Sequence, residues 1–115
     1  MAHKIIGAPL PRHDALGKVT GATRYPADLI KPAMLQLQVV FAHKVHARIR
    51  SIDTAAALKY PGVVAVLTAE DVPYNAYGLI ENDQPVLCKD KVRFEGDKVA
   101  LVVAQNKEAA IAGAD

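Results

Sequence analysis

Aromatic residues and cysteine are both scarce in this sequence. Only 5% of the 115 residues are aromatic and none is Trp, so any core must be aliphatic. The one cysteine, Cys88, excludes an internal disulfide, and it excludes an iron–sulfur cluster held by this chain alone, because such clusters need about four cysteines. No apolar run approaches the roughly 20 residues of a membrane helix, and the N-terminal residues lack the apolar centre of a signal peptide. These absences predict a cytoplasmic protein.

Charge is nearly balanced overall but unevenly distributed. The formal net charge of +2 is too small to indicate a nucleic acid or a membrane as the partner. Residues 1–50 carry eight Lys or Arg and two Asp, whereas residues 51–115 carry six basic and ten acidic residues. The basic half either faces an acidic surface or is offset by the acidic half within one fold, and the second interpretation is simpler.

Pro and Gly residues, together with the periodicity of the apolar residues, divide the chain into an N-terminal arm (residues 1–33) and a domain (residues 34–115). The arm is rich in Pro, Gly and charge, which predicts an extended segment with one short strand around Ala22–Tyr25. The first strand of the domain is predicted at Met34–Phe41, and alternation assigns four of its apolar residues to one face: Leu35, Leu37, Val39 and Phe41.

Residues 47–68 predict a strand, a short helix and a second strand. Ala47–Ile52 alternates as a half-buried strand does. Asp53 or Thr54 can cap a helix that begins at Ala55, and the Tyr-Pro-Gly sequence at residues 60–62 ends it. Val63–Leu67 is wholly apolar, which is typical of a strand buried on both faces. A crossover of this kind within one sheet is expected to be right-handed.

The remaining segments predict a capping box, a loop and a hairpin. Thr68 and Asp71 match a capping box, and residues 73–85 form a loop. Residues 92–95 and 98–104 are predicted to pair across a Gly96-Asp97 turn, with Glu95 opposite Lys98 and the second strand central.

A last helix is predicted from Lys107, capped by Asn106 and cut off at Asp115. A chain that stops within a helix is typical of a fragment or of a piece that docks on a larger body. Together these segments predict an α+β fold with a mixed sheet, a short crossover helix and a C-terminal helix.

Candidate chemical residues are few, and each has a simpler structural explanation. His43 and His46 are the best metal candidates, but on a strand they point opposite ways and no third ligand is near in sequence. Cys88 is predicted to be a structural thiol rather than a reactive one. Asp53 is predicted to be a helix cap, and Glu81 and Asp83 are predicted to lie in a solvated loop. Gly17-Lys18-Val19 resembles the end of a phosphate-binding loop but lacks the hydroxyl residue that must follow the Lys.

The basic cluster of Lys44, Arg48 and Arg50 is a plausible interface, but it lacks the interleaved aromatic residues of a single-strand nucleic-acid binder. No catalytic, cofactor-binding or metal-binding residue is therefore assigned in this chain.

An ordered series of segments resembles the N-terminal α/β-hammerhead domain of the molybdopterin-binding large subunit of the xanthine dehydrogenase and aldehyde oxidase family. The resemblance covers about Ile6 to Ala112 and rests on the following segments: Pro11-Arg-His-Asp-Ala-Leu-Gly-Lys-Val-Thr-Gly-Ala-Thr-Arg-Tyr25, Asp28-Leu29, His46-Ala-Arg-Ile49, Ser51-Ile-Asp-Thr54, Pro61-Gly-Val-Val-Ala-Val-Leu-Thr-Ala-Glu-Asp-Val-Pro73, Asp83-Gln-Pro-Val86, Asp90-Lys-Val-Arg-Phe-Glu-Gly-Asp97 and Val99-Ala-Leu-Val-Val-Ala104.

The resemblance implies a molybdenum hydroxylase that oxidises aldehydes, N-heterocycles or carbon monoxide. It implies a molybdopterin cofactor in the rest of the enzyme, with [2Fe–2S] clusters and in many members FAD on partner subunits. The general-base Glu and the glycine-rich pterin loops of that family lie downstream of the hammerhead, so no site residue is carried over. The sequence departs from the family at Phe41-Ala-His-Lys-Val45 and at Lys98, and it lacks the strand that usually follows the last helix.

Three hypotheses follow from the sequence. The first is a non-catalytic docking domain or split subunit of such an enzyme, with the remaining molybdopterin-binding domains as partner. The second is a stand-alone binding or assembly module that uses its basic half as the contact surface. The third is a degenerate gene fragment without function. The sequence does not identify a substrate.

Overall fold

The structure, a computed structural model, describes residues 5–115, and its fold divides into two units. Residues 5–32 belong to the first, and Ala33–Asp115 form the second. None of the helices within residues 5–115 has the length and hydrophobicity needed to cross a bilayer. The regular elements of this part of the chain are α1 (Ala15–Val19), β1 (Gln36–Phe41), β2 (Ala47–Arg48), α2 (Ala55–Lys59), β3 (Val63–Leu67), β4 (Lys91–Val92), β5 (Lys98–Ala104) and α3 (Lys107–Ala112), with 3₁₀ turns at Pro26–Asp28 and Ala69–Asp71.

The first unit contains helix α1 where an extended arm was predicted. Asp14 precedes the helix and accepts ion-pair contacts from Arg12 and Lys18, each at 2.8 Å, which hold the pKa of its carboxyl below the usual value. The predicted strand at Ala22–Tyr25 is wrong. The backbone N–H of Thr23 donates to the carbonyl of Gly17 at 3.0 Å, and this bond folds the segment back towards the helix.

The second unit is built on a three-stranded sheet in the order β1-β5-β3. Strand β5 pairs antiparallel with both neighbours, and it is the central strand, as predicted. The α+β class with short helices is confirmed, but the prediction of a mixed sheet is wrong, because every strand pair in the described residues is antiparallel. Strand β3 is an edge strand. Its bulge leaves Val64 50% exposed, so the prediction that β3 is buried on both faces is also wrong.

Helix α3 covers one face of this sheet. Ala109 and Ala110 of the helix pack with Ala104 of β5, and Val63 packs against the same cluster. Directly opposite residues in antiparallel strands share a face, so this covered face also carries Val102, which is 1% exposed. Small side chains dominate the contact and allow the helix to approach the sheet closely.

Strands β2 and β4 form a separate two-stranded ribbon. Ala47 pairs with Val92 and Arg48 pairs with Lys91, both in antiparallel register. The N–H of Ile49 continues the ladder by donating to the carbonyl of Asp90 at 2.9 Å. The predicted crossover within one sheet is therefore wrong: β2 is paired with β4, and α2 connects it to a strand of a different sheet.

The predicted hairpin between residues 92–95 and 98–104 is also wrong. The carboxylate of Asp97 accepts the backbone N–H groups of Arg93 and Phe94, and the N–H of Asp97 donates to the carbonyl of Phe94 at 3.1 Å. These bonds occupy the amides that a ladder beside β5 would require. Glu95 and Lys98 form no ion pair; the ammonium of Lys98 instead lies 5.5 Å from the ring centroid of Tyr77.

The local stop and cap signals are confirmed. The carboxylate of Asp53 accepts the N–H of Ala55 at 2.9 Å, and that of Asp71 accepts the N–H of Thr68 at 2.7 Å. Gly62 adopts a positive φ of 89° between α2 and β3, and an added Cβ would lie 3.0 Å from the Cβ of Ala109. Helix α3 ends at Ala112 and does not continue to Asp115 as predicted, and Gly113 is its C-cap residue.

Residues 73–85 form the predicted loop, which is closed by a single bridge between Tyr77 and Gln84. The side-chain amide of Asn75 donates to the carbonyl of Leu87 at 2.7 Å and accepts its N–H at 2.9 Å. Leu87 is 1% exposed. The loop is therefore anchored to the domain at its base, while Leu79 at its tip is fully exposed.

Asn106→Ala should destabilise the isolated chain by about 1 kcal/mol, the usual loss when a helix cap is removed. The reason is that the Asn106 side chain accepts the N–H of Ala109 at 2.8 Å, and Ala109 belongs to the buried cluster. Urea unfolding followed by circular dichroism measures the change. Gln105→Ala, at an exposed neighbouring position, is the matched control, and equal stability of both variants would contradict the prediction.

Candidate functional site

The two candidate metal ligands are not assembled into a site. His43 has a positive φ of 49°, and its ring lies edge-on to Phe41 with a centroid distance of 6.5 Å. His46 is exposed at the end of β2. Within residues 5–115 no group of three or more His, Cys, Asp or Glu side chains is placed to hold a metal ion.

Cys88 lies in the interior of the second unit, where its side chain is 2% exposed. Burial raises the pKa of its thiol, and the negative charge of Asp97 and a hydrogen bond to it raise that pKa further. A raised pKa disfavours the thiolate, which is the nucleophilic form. The arrangement suits a packed structural thiol.

The other single residues have structural partners. Asp53 caps α2 as predicted, Lys18 is paired with Asp14, and Glu81 and Asp83 are exposed in the loop. The one hydroxyl–carboxylate contact in the described residues joins Thr68 to Asp71 at 3.2 Å and belongs to the capping box.

The structure extends the basic cluster beyond what the sequence indicated. Arg48 of β2 lies directly opposite Lys91 of β4, so β4 contributes a cation that is at least 41 residues away in the chain from Lys44, Arg48 and Arg50. Only the strand register brings these residues together, and no local pattern could have identified the set.

Open grooves occur on the second unit, and none resembles a closed ligand site. Three of them have volumes of about 290, 270 and 580 Å³. Among the described residues, none of the polar ones is buried. In the same residues, no buried side-chain nitrogen or oxygen atom lacks a hydrogen-bond partner. A small-molecule site needs a few inward-pointing polar groups to orient its ligand, and these grooves do not supply them.

The face of the three-stranded sheet opposite α3 is apolar and incompletely covered. We call it the open sheet face. The register of the strands assigns six residues to it: Leu37, Val39, Ala65, Leu67, Leu101 and Val103. None of them is buried, and Leu37 is 53% exposed, although every one is apolar.

Comparison with known proteins assigns this architecture to a family. Residues 20–115 match the profile of the family described as aldehyde oxidase and xanthine dehydrogenase, a/b hammerhead domain. The chain belongs to this family. The resemblance seen in the sequence and the hammerhead fold are therefore confirmed.

Relatives and solved structures agree with this assignment. The chain is 47% identical over 100 residues to a probable xanthine dehydrogenase subunit of Bacillus subtilis (strain 168), covering 86% of this chain and 13% of the relative. It is 38% identical to the nicotinate dehydrogenase large molybdopterin subunit of Eubacterium barkeri, covering 92% and 25%. It superposes on the aldehyde oxidoreductase of Desulfovibrio desulfuricans ATCC 27774 with a TM-score of 0.85 and 35% identity. The superposition covers 92% of this chain and 13% of that one.

The chain thus spans between about one eighth and one quarter of these relatives. It corresponds to a hammerhead domain within the large subunit of molybdenum hydroxylases, whose members are multi-domain or multi-subunit enzymes.

The residues present do not fit a molybdopterin or an iron–sulfur cluster. The open grooves contain no buried polar side chain that could orient a pterin, and one buried thiol cannot replace the roughly four that a cluster requires. No chemical step is therefore assigned to this chain.

Cys88 should react slowly with a disulfide reagent such as dithionitrobenzoate in the folded chain and at full rate after denaturation. Its thiol is buried and its pKa is raised above the ordinary value of 9.0. The stabilising effect of this shift is complete below that ordinary pKa and declines as the pH rises through the folded pKa, because the unfolded chain loses its proton first. Equal reaction rates for folded and denatured chains at pH 8 would contradict this.

Proposed function

We propose that this chain is the structural hammerhead domain, or a split hammerhead subunit, of a molybdenum hydroxylase large subunit. Its role is to pack on the molybdopterin-binding body and to help dock neighbouring subunits. It is part of an oxidoreductase but carries none of the catalytic residues. The main observation behind this proposal is the open sheet face, which is apolar throughout but holds no buried residue.

The balance of buried and exposed apolar residues supports the proposal. In Ala33–Asp115, fifteen large apolar side chains are at least 37% exposed. The buried residues of this unit are nine, of which five are alanine. Large exposed apolar patches mark interaction sites in soluble proteins. A surface of this kind is expected of a domain whose second layer is supplied by another body.

The domain boundaries, cofactors and partners follow from the same proposal. Residues 1–33 precede the hammerhead domain of residues 34–115, and the molybdopterin is bound by the remaining domains. The iron–sulfur clusters, and FAD where present, belong to partner subunits. The enzyme is cytoplasmic, which agrees with a reduced, buried Cys88.

Native mass spectrometry with metal analysis tests this assignment. The assembly that contains this sequence is purified from its own cells through an affinity tag. We expect molybdenum and iron in one assembly much larger than 12.3 kDa. A metal-free assembly would overturn the proposal and favour a stand-alone binding module, and a free chain with unprotected amides would favour a fragment without function.

Leu37→Gln should weaken the packing of the domain on the larger body. Full burial of a Leu side chain contributes about 1.5–3 kcal/mol, and Leu37 is still 53% exposed, so about 1 kcal/mol remains to be gained in the assembly. We expect faster hydrogen exchange in β1 and a lower melting temperature of the assembly.

Leu58→Gln is the matched control, because Leu58 is 50% exposed but lies on helix α2 and outside the open sheet face. Both variants of the isolated chain should retain the wild-type circular dichroism spectrum. If the two variants changed the assembly equally, the open sheet face would not be the contact.

A further inference from the structure

The ribbon of β2 and β4, with the residues that flank it, is strongly basic. The bond between Ile49 and Asp90 extends the register of Arg48 and Lys91 by one residue. Residues 46–50 and 89–93 carry one carboxylate, Asp90, and six basic side chains, which we call the basic face: His46, Arg48, Arg50, Lys89, Lys91 and Arg93. All six side chains are exposed.

The opposite side of the ribbon has a different composition. Ala47 and Ile49 are half-buried, and Val92 is 2% exposed. The ribbon is therefore anchored by its apolar side, and its basic face is directed away from the interior. Three residues of the basic face, Lys89, Lys91 and Arg93, also line the groove of about 270 Å³, together with the carboxylates of Asp83 and Asp90.

The cations on this face lie opposite one another. Arg48 faces Lys91, and Arg50 and Lys89 are the next residues beyond the bond between Ile49 and Asp90. Like charges directly opposite in a sheet are destabilising. Charged side chains on an exposed ribbon protect its strand edges from aggregation. Pairs of opposite charge would give the same protection without the repulsion between like charges.

Little within the chain neutralises these charges. Of the ion pairs among the described residues only one involves the ribbon, and it joins Lys89 to Glu70 at 3.0 Å, which raises the pKa of Lys89. Arg48, Arg50, Lys91 and Arg93 form no ion pair with any carboxylate in residues 5–115.

We propose that the basic face is a docking surface for an acidic, Asp- and Glu-rich protein segment carried by another part of the same enzyme assembly. Such a segment would place carboxylates over the like-charged pairs and convert their repulsion into attraction, with Arg48 and Arg50 able to bind carboxylates in a bidentate manner. The inference rests on the proposed function and adds a second contact, chemically distinct from the open sheet face.

A protein segment suits this face better than a nucleic acid. Single-stranded nucleic acids bind to basic grooves that contain aromatic rings for base stacking. No aromatic residue occurs in residues 46–50 or 89–93. The fixed strand spacing of the cations matches the side-chain spacing of an extended acidic segment instead.

Zero-length cross-linking with a carbodiimide tests the contact directly in the assembly purified from its own cells. This reagent joins an amine to a carboxylate only when the two are in contact. We expect Lys91 to be linked to Asp or Glu residues outside residues 1–115. Lys107, which is exposed on α3, is the internal control and should form no such link. Absence of external links at Lys91, or links only to carboxylates of this chain, would overturn the inference.

Charge reversal gives a second test, because its effect on hydrogen exchange in the ribbon has opposite signs in the isolated chain and in the assembly. In the isolated chain, Lys91→Glu replaces a like-charged pair with an opposite pair and should slow hydrogen exchange in β2 and β4. In the assembly the same change should weaken the contact and reduce protection by about tenfold or more. Lys107→Glu is the matched control and should leave the ribbon unchanged in both.

The outcomes separate this inference from the proposed function. An assembly that contains molybdenum but shows equal ribbon protection in Lys91→Glu and wild type would refute the acidic docking surface and leave the hammerhead assignment intact. External cross-links at Lys91 in an assembly without molybdenum would support the acidic docking surface and refute the hammerhead assignment. Nuclease-sensitive RNA or DNA bound through the ribbon would also refute the inference.

Discussion

The pairing of β5 on both of its edges is the interaction on which the second unit depends. Its backbone is hydrogen-bonded to β1 and β3, and its apolar side chains alternate between two faces. One set is buried and consists of Ala100, Val102 and Ala104. It lies on the side of the sheet that carries α3. The other set belongs to the open sheet face. A strand that is apolar on both faces requires two covering layers. In the described residues the side that carries α3 holds buried residues, whereas the open sheet face holds only half-buried and exposed ones.

Local signals in the sequence predicted local structure correctly. The caps at Asp53, Asp71 and Asn106 are each a side chain bonded to an amide two or three residues away, so the information lies within one turn. The central position of β5 was also predicted correctly from a run that is apolar on both faces. The same pattern in Val63–Leu67 belongs to the edge strand β3, so an apolar run alone does not identify a central strand.

Strand partners could not be predicted in the same way. The hairpin failed because the carboxylate of Asp97 accepts the amides of Arg93 and Phe94, a competition that a turn signal at Gly96-Asp97 does not reveal. The crossover failed because β2 pairs with a strand 43 residues further on, as Arg48 with Lys91 shows. For the same reason the sequence indicated only the first half of the basic face. The family resemblance identified the hammerhead despite these errors, since it used segment order rather than pairing.

The two surfaces left uncovered differ in the physical role they can have. An apolar sheet face gains free energy by excluding water and is indifferent to the exact partner orientation, so it contributes affinity. A row of paired cations gains little affinity unless it is desolvated, but it disfavours wrong partners and fixes the register of the right one. In the proposed function the domain contributes no catalytic group but has to be held in one orientation within a large enzyme. We propose that the open sheet face supplies attachment and that the basic face supplies orientation.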